Sequence, residues 1–155
     1  MGPPRRNGGA TVLEPDAFAF EAAVGVRWSD ADSTGAINDA RLVTLMEEAR
    51  VAWLLSAGAE YRPLITSAMI VTVGVRFHRR LTHRDGPLRI GMWIDRYRSV
   101  DFVIGYEIGA ADDPAGSTPA CTATTQMAVV DIENHTLRRL TAEEKGHLST
   151  WSRPA

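Results

Sequence analysis

The chain has 155 residues, 45% of them hydrophobic and 23% charged, and a formal net charge of −2. That is the length of one domain with an ordinary globular core. The balance gives no electrostatic reason to expect nucleic acid or an anionic membrane surface as a partner.

A lone cysteine, Cys121, has no partner for an internal disulfide, which suits a reducing compartment. No stretch approaches the ~18 uninterrupted apolar residues of a bilayer span. The opening MGPPRRNGGATVLEPD has two arginines but no apolar run behind them, so it does not read as a secretory signal. The expected location is the cytoplasm. The Gly, Pro and Arg content of residues 1–16 predicts a disordered tail, followed by a single domain over 17–155.

Strand-type alternation begins at Phe18 and places Phe18, Phe20, Ala22, Val24, Val26 and Trp28 on one face. The loop WSDADSTGAIND, residues 28–39, then interrupts the apolar pattern with Asp30, Asp32 and Asp39. From Asp39 to about Ser56, Leu42, Leu45, Met46, Ala49, Ala52 and Trp53 recur at three- and four-residue spacing. Val43, Val51 and Leu54 lie elsewhere, so the helix is apolar around most of its circumference and is expected to be enclosed. Gly58 is suited to ending it in the left-handed conformation.

Four alternating segments follow, at 69–80, 88–97, 101–110 and 120–132. Their short connections predict antiparallel neighbours. One strand, one buried helix and four more strands make an α+β layer, a long helix against a curved five-stranded antiparallel sheet. The tail LRRLTAEEKGHLSTW reads as a short, partly exposed cap. Open sheet edges suggest a dimer that joins two sheets.

The chemistry concentrates in the loop. Asn38 or Asp39 is a good N-cap, because either side chain can accept a bond from free N–H groups one turn on. Asp32 lies upstream across a glycine turn, where the chain can fold it towards the same helix start. Unpaired N–H groups and partial positive charge there would keep it ionised and polarise a carbonyl oxygen. A carboxylate beside such donors suits acyl-transfer hydrolysis by direct attack or by activation of water. Acidic turns are common, and D-x-D-x-x-G alone is a weak signal.

The order strand, VRWSDADSTGAINDARL, helix VTLMEEARVAWL and four strands resembles the hot-dog fold thioesterases, in particular the 4-hydroxybenzoyl-CoA thioesterase-like branch. Val26, Trp28, Asp30, Asp32, Gly35, Ile37, Asn38, Glu47, Ala49 and Arg50 fill the positions of its signature. The resemblance covers about residues 18–132 and implies an acyl-CoA thioesterase with Asp32 as nucleophile or general base. It implies that Asp30 holds the turn, that Gly35 and Ile37 shape the loop, and that backbone N–H groups near Asn38 and Asp39 hold the thioester carbonyl. It implies an acyl pocket around Met69, Ile70 and Val71, and sites at the interface of a homodimer or homotetramer. Relatives often carry a histidine where this chain has Ala36 and an aromatic where it has Leu42. Glu47 and Arg50 read as a helix-surface ion pair, and Glu48 matches the register of a helper glutamate in some relatives.

Coenzyme A would enter as part of the substrate, with no other cofactor and no metal. Its phosphates call for arginines near the site mouth. Two clusters qualify, Arg79 and Arg80 in HRRLTHR, and Arg96 and Arg98 in RYRS; the second is favoured because relatives carry basic residues before a serine at that strand turn. The thiol carrier is either coenzyme A or an acyl-carrier protein. There is no G-x-S-x-G elbow, the four histidines lack zinc-ligand spacing, and no glycine loop cradles a phosphate. The competing reading is a non-catalytic hot-dog dimer that binds an acyl thioester or a protein partner. A dehydratase on the same fold is disfavoured, because the loop has no histidine.

Overall fold

The computed structural model describes residues 6–7, 10–13, 18–56 and 58–153. In chain order these form β1 (Arg6–Asn7), β2 (Ala10–Leu13), β3 (Phe20–Val24), α1 (Asp39–Ser56), α2 (Arg62–Thr66), β4 (Ala68–Phe77), β5 (Leu88–Tyr97), β6 (Asp101–Ala110), β7 (Cys121–Asp131), β8 (Thr136–Leu137) and α3 (Ala142–Thr150). One antiparallel sheet runs β1-β2-β3-β5-β6-β7-β4, with the short β8 on β7.

The sheet is therefore larger than the five strands expected. Two of the added strands, β1 and β2, fall inside the segment expected to be a disordered tail. The run ATVL pairs with β3 from Ala10↔Val24 to Leu13↔Glu21, which covers the edge that β3 would otherwise expose. Residues 1–5, 8–9 and 14–17 lie outside the described residues.

α1 packs on the inner face of this sheet. Leu42, Leu45, Met46, Ala49, Ala52 and Trp53 are all buried, as their spacing requires, against Phe20, Ala22, Val24, Ile90, Met92 and Ile104. Gly58 has φ 110° and ψ 158°, a positive-φ conformation open to glycine but not the left-handed helical one expected. The C-terminal cap is α3, started by a reciprocal pair in which the Thr141 hydroxyl accepts from Glu144 N and the Glu144 carboxylate accepts from Thr141 N. Leu140 and Leu148 are buried beneath it, and Trp151 tilts against Trp53 at 4.8 Å.

Strand register gives the sheet two distinct ends. At one, Phe77 pairs with Cys121, Cys121 with Ile108, and Leu88 with both Ala110 and Val24. The chain leaves this end after Val24 to form the acidic loop. At the other end lie Ala68 opposite Val129 and Tyr97 opposite Phe102.

β4 reaches the core only through Ala68 and Val75 among its apolar residues. It closes one side of the sheet and leaves Met69, Ile70, Val71, Val73 and Phe77 exposed. Its register slips between Ile70 and Thr72, so Val71 is a bulge.

Candidate active site

β3 ends at Val24, and Trp28 is not on its face as the alternation suggested. Residues 28–30 form a single 3-10 turn instead, and Trp28 is 77% exposed. The turn is made by Asp30, whose Oδ2 accepts from Arg27 N at 2.8 Å while its own N–H donates to the Arg27 carbonyl. Asp30 is buried at 6% exposure and holds the turn.

Beyond it the chain forms a small hairpin. Ala31 bridges Ile37, and the Asp32 N–H donates to the Ala36 carbonyl at 2.8 Å. Gly35 makes the reversal with φ 84°, a conformation that favours glycine. The hairpin rests on the segment before β5: Ala36 bridges Thr82, Ile37 N donates to the Leu81 carbonyl, and His83 N donates to the Gly35 carbonyl.

This geometry splits the Asp32 carboxylate into two roles. Oδ1 accepts from Thr34 N at 2.8 Å, Thr34 Oγ1 at 2.6 Å and Ala36 N at 3.2 Å. Oδ2 forms a long ion pair with the Arg80 guanidinium at 3.8 Å and, among the described residues, accepts no hydrogen bond. The Thr34 hydroxyl and N–H, then Ala36 N–H and Arg80, hold the carboxyl below the usual carboxylate range. One oxygen is anchored, and the other is the free face of an ionised, exposed group.

The start of α1 is built differently from the expectation in one respect. Asn38 is the cap, its Oδ1 accepting from Ala40 N at 2.9 Å. The Asn38 N–H, expected to hold a carbonyl, instead donates to the Asp30 carbonyl at 2.8 Å. That leaves the Asp39 N–H as the donor of the expected pair at the helix mouth. Asp32 lies two residues along the hairpin from Asp30, about 7 Å away at extended spacing.

The remaining expected residues are distributed by the register. Glu48 is half-buried nine residues past Asp39, about 13 Å down the helix axis, and is not brought to the carboxylate. Arg50 is buried rather than at the helix surface; its Nη1 donates to Tyr106 OH at 3.5 Å and its Nη2 lies 3.9 Å from Glu47. Arg79 pairs with Asp113, and Arg80 points at Asp32. Arg96 and Arg98, favoured in the sequence, lie at the other end of β5, about 26 Å from Leu88 by strand rise. Met69, Ile70 and Val71 are at that far end too, on β4. One chain therefore unites Asp32, Gly35, Ile37, Asp39 and Arg80, and separates them from the acyl-pocket and RYRS residues. Cys121 is no candidate nucleophile: burial pushes its thiol up to about 11. Sequence reasoning missed Thr34, whose place two residues after an aspartate in an S-T-G turn is the signal for such side-chain bonding.

A family model for the thioesterase-like superfamily matches residues 26–150. None of the curated proteins compared matches the sequence. Among solved structures, the chain is similar to a thioesterase from Thermus thermophilus complexed with coenzyme A and Zn, at TM-score 0.74 and 15% identity over 91% of this chain and 100% of that one. It is similar to the YbaW probable thioesterase of Escherichia coli, at TM-score 0.72 and 16% identity over 86% and 98%. It is also similar to Slr0204, a 1,4-dihydroxy-2-naphthoyl-CoA thioesterase from Synechocystis, at TM-score 0.69 and 16% identity over 90% and 100%. At these identities the structures establish the fold, and the family match spans most of the chain with the acidic loop inside it. The chain belongs to the thioesterase-like superfamily, a thioester hydrolase on the hot-dog fold.

Proposed function

We propose that this protein hydrolyses acyl-CoA thioesters, with Asp32 as the catalytic carboxylate. The observation that carries the reading is the division of labour within that side chain. Three donors fix Oδ1, so Oδ2 is presented in one orientation and stays ionised. Oδ2 then attacks the thioester carbonyl or takes a proton from an attacking water, and the Asp39 N–H at the helix start supports the developing oxyanion. The thiolate of coenzyme A leaves; direct attack gives a mixed anhydride of the acyl group with Asp32, which a water then hydrolyses to free the carboxylate, and on either route the acyl group ends as a carboxylic acid.

The working unit is proposed to be a homodimer joined through β4. An antiparallel pairing of this edge with its copy turns the two sheets head to tail. The far end of one copy, with Met69–Val71 and Arg96–Arg98, then comes beside the Asp32 loop of the other. Apolar exposure along β4 supports this arrangement.

Free-thiol release from a panel of acyl-CoAs, with wild type and Asp32→Asn, tests the proposal. Wild-type turnover that falls about 100-fold or more in the folded variant is the expected result. No turnover on any thioester would favour the non-catalytic binding protein. Turnover that survives the substitution would remove Asp32 from the reaction.

A further inference from the structure

Trp28 is the most exposed of the large hydrophobic side chains among the described residues, at 77%. A single exposed apolar residue is ordinary, but this one is held in place. Its ring lies on His83 with centroids 4.0 Å apart and planes at 31°. The 3-10 turn closed by Asp30 fixes its backbone, and the bond from His83 N to the Gly35 carbonyl anchors the backbone of the residue whose ring lies beneath it. The result is an oriented aromatic platform beside the candidate active site.

Its surroundings are cationic. Arg27 is exposed next to it, Arg84 is exposed in the same turn as His83, and Arg80 is exposed beside Asp32. Asp85 is occupied in accepting from Thr82 N and Thr82 Oγ1. An exposed aromatic face with exposed arginines at neighbouring positions is complementary to a flat heterocycle that carries phosphates. Asp32 lies four positions after Trp28, at most about 14 Å of chain, a span that a bent pantetheine arm covers.

From this geometry we infer that Trp28, backed by His83, is the platform on which the adenine of coenzyme A stacks, with Arg84 and Arg80 facing its phosphates. The inference rests on the thioesterase reading for its substrate. It makes coenzyme A, rather than a carrier protein that lacks adenine, the thiol carrier this chain recognises. Trp28 is here a binding residue and takes no part in bond cleavage.

Calorimetric titration of the full chain with coenzyme A and with pantetheine, for wild type, Trp28→Ala and Trp28→Phe, tests it without needing turnover. Wild type should bind coenzyme A more tightly than pantetheine, and Trp28→Ala should shrink that ratio by roughly tenfold or more, the scale of one lost base–aromatic stack. Trp28→Phe should recover most of it, and pantetheine affinity should stay constant throughout. Equal affinity for the two probes in wild type, or a ratio unchanged in Trp28→Ala, would overturn the platform. So would a change in molecular mass of Trp28→Ala with parallel losses for both probes, because the indole would then belong to a subunit contact. A wild type that discriminates the probes but cleaves no acyl-CoA would sink the hydrolase reading and leave the platform standing.

Discussion

Asn38 and Asp30 lock the base of the acidic loop: the Asn38 N–H donates to the Asp30 carbonyl oxygen at 2.8 Å. One backbone bond thus joins the cap of α1 to the turn that follows β3. Asp30 and Asp32, two residues apart with the same side chain, therefore do different work. The first is buried and bonded to Arg27 N, and the second is exposed with one oxygen free.

Asp30→Ala should accordingly be a stability variant. It strips the acceptor from the Arg27 N–H, and loss of a charged acceptor of this kind costs about 1–3 kcal/mol. Urea unfolding should show that loss. Asp32→Asn should unfold within about 1 kcal/mol of wild type, because an amide oxygen still accepts from Thr34 and Ala36. Equal destabilisation of the two variants would contradict the division of roles.

Asp32 also sets an expected pH profile. Its folded-state value is depressed, first by the Thr34 hydroxyl and then by the Thr34 and Ala36 N–H groups and Arg80. The reactive carboxylate should then persist below the ordinary aspartate range, and kcat/KM should lose activity only at more acidic pH. Thr34→Val removes the largest of these donors, so the acid limb should move to higher pH, with neutral-pH activity reduced less than in Asp32→Asn. An acid limb that stays in place in Thr34→Val would mean that another group controls it.

The parts of the fold carried by local periodicity were legible in the sequence. β5, β6 and α1 fall at 88–97, 101–110 and 39–56, where alternation or helical spacing put them. The N-terminal strands were not, because a composition rich in Gly, Pro and Arg says nothing about the free edge of β3 that ATVL covers. Trp28 was misplaced for a related reason: the apolar alternation continues to it, but the Asp30 side chain captures Arg27 N and turns the backbone out of the strand. Asp32 and the helix mouth could be read from a motif within twelve residues. Which arginines stand near Asp32 could not, since that depends on the register of strands dozens of residues apart. The same register buries Glu21, a charged residue of β3, to 2% exposure beneath its pairing with Arg89.

Glu144 and Arg138 provide a separate acid-sensitive contact away from the loop. Arg138 donates from Nη1 and Nη2 to the Glu144 carboxylate at 2.7 and 2.9 Å, and the Arg138 side chain, then Thr141 N–H, hold that carboxyl below its usual range. A depressed carboxylate stabilises the fold above its unfolded value and loses that contribution as pH falls through the folded value. Glu144→Gln should therefore cost about 2 kcal/mol at pH 7, with the gap to wild type closing as the pH drops below the ordinary glutamate range. A gap independent of pH would show that the charge on Glu144 is not what stabilises α3.

The exposed edge strand gives the most far-reaching expectation. Val73 lies on β4 opposite Thr125, in the row between Ile70 and Val75, and is 36% exposed in the single chain. If β4 pairs with its copy, the native protein should run at twice the 16.9 kDa of one chain. Val73→Asp places a charge in that apolar seam, and a buried unpaired carboxylate costs several kcal/mol. Light scattering should then show the variant at the mass of one chain. Because the Asp32 loop of one copy is proposed to work beside Met69–Val71 and Arg96–Arg98 of the other, turnover should fall with the mass, by tenfold or more. A stable, folded monomer with full turnover would show that a single chain contains the whole site, and that the exposed valines of β4 serve some other contact.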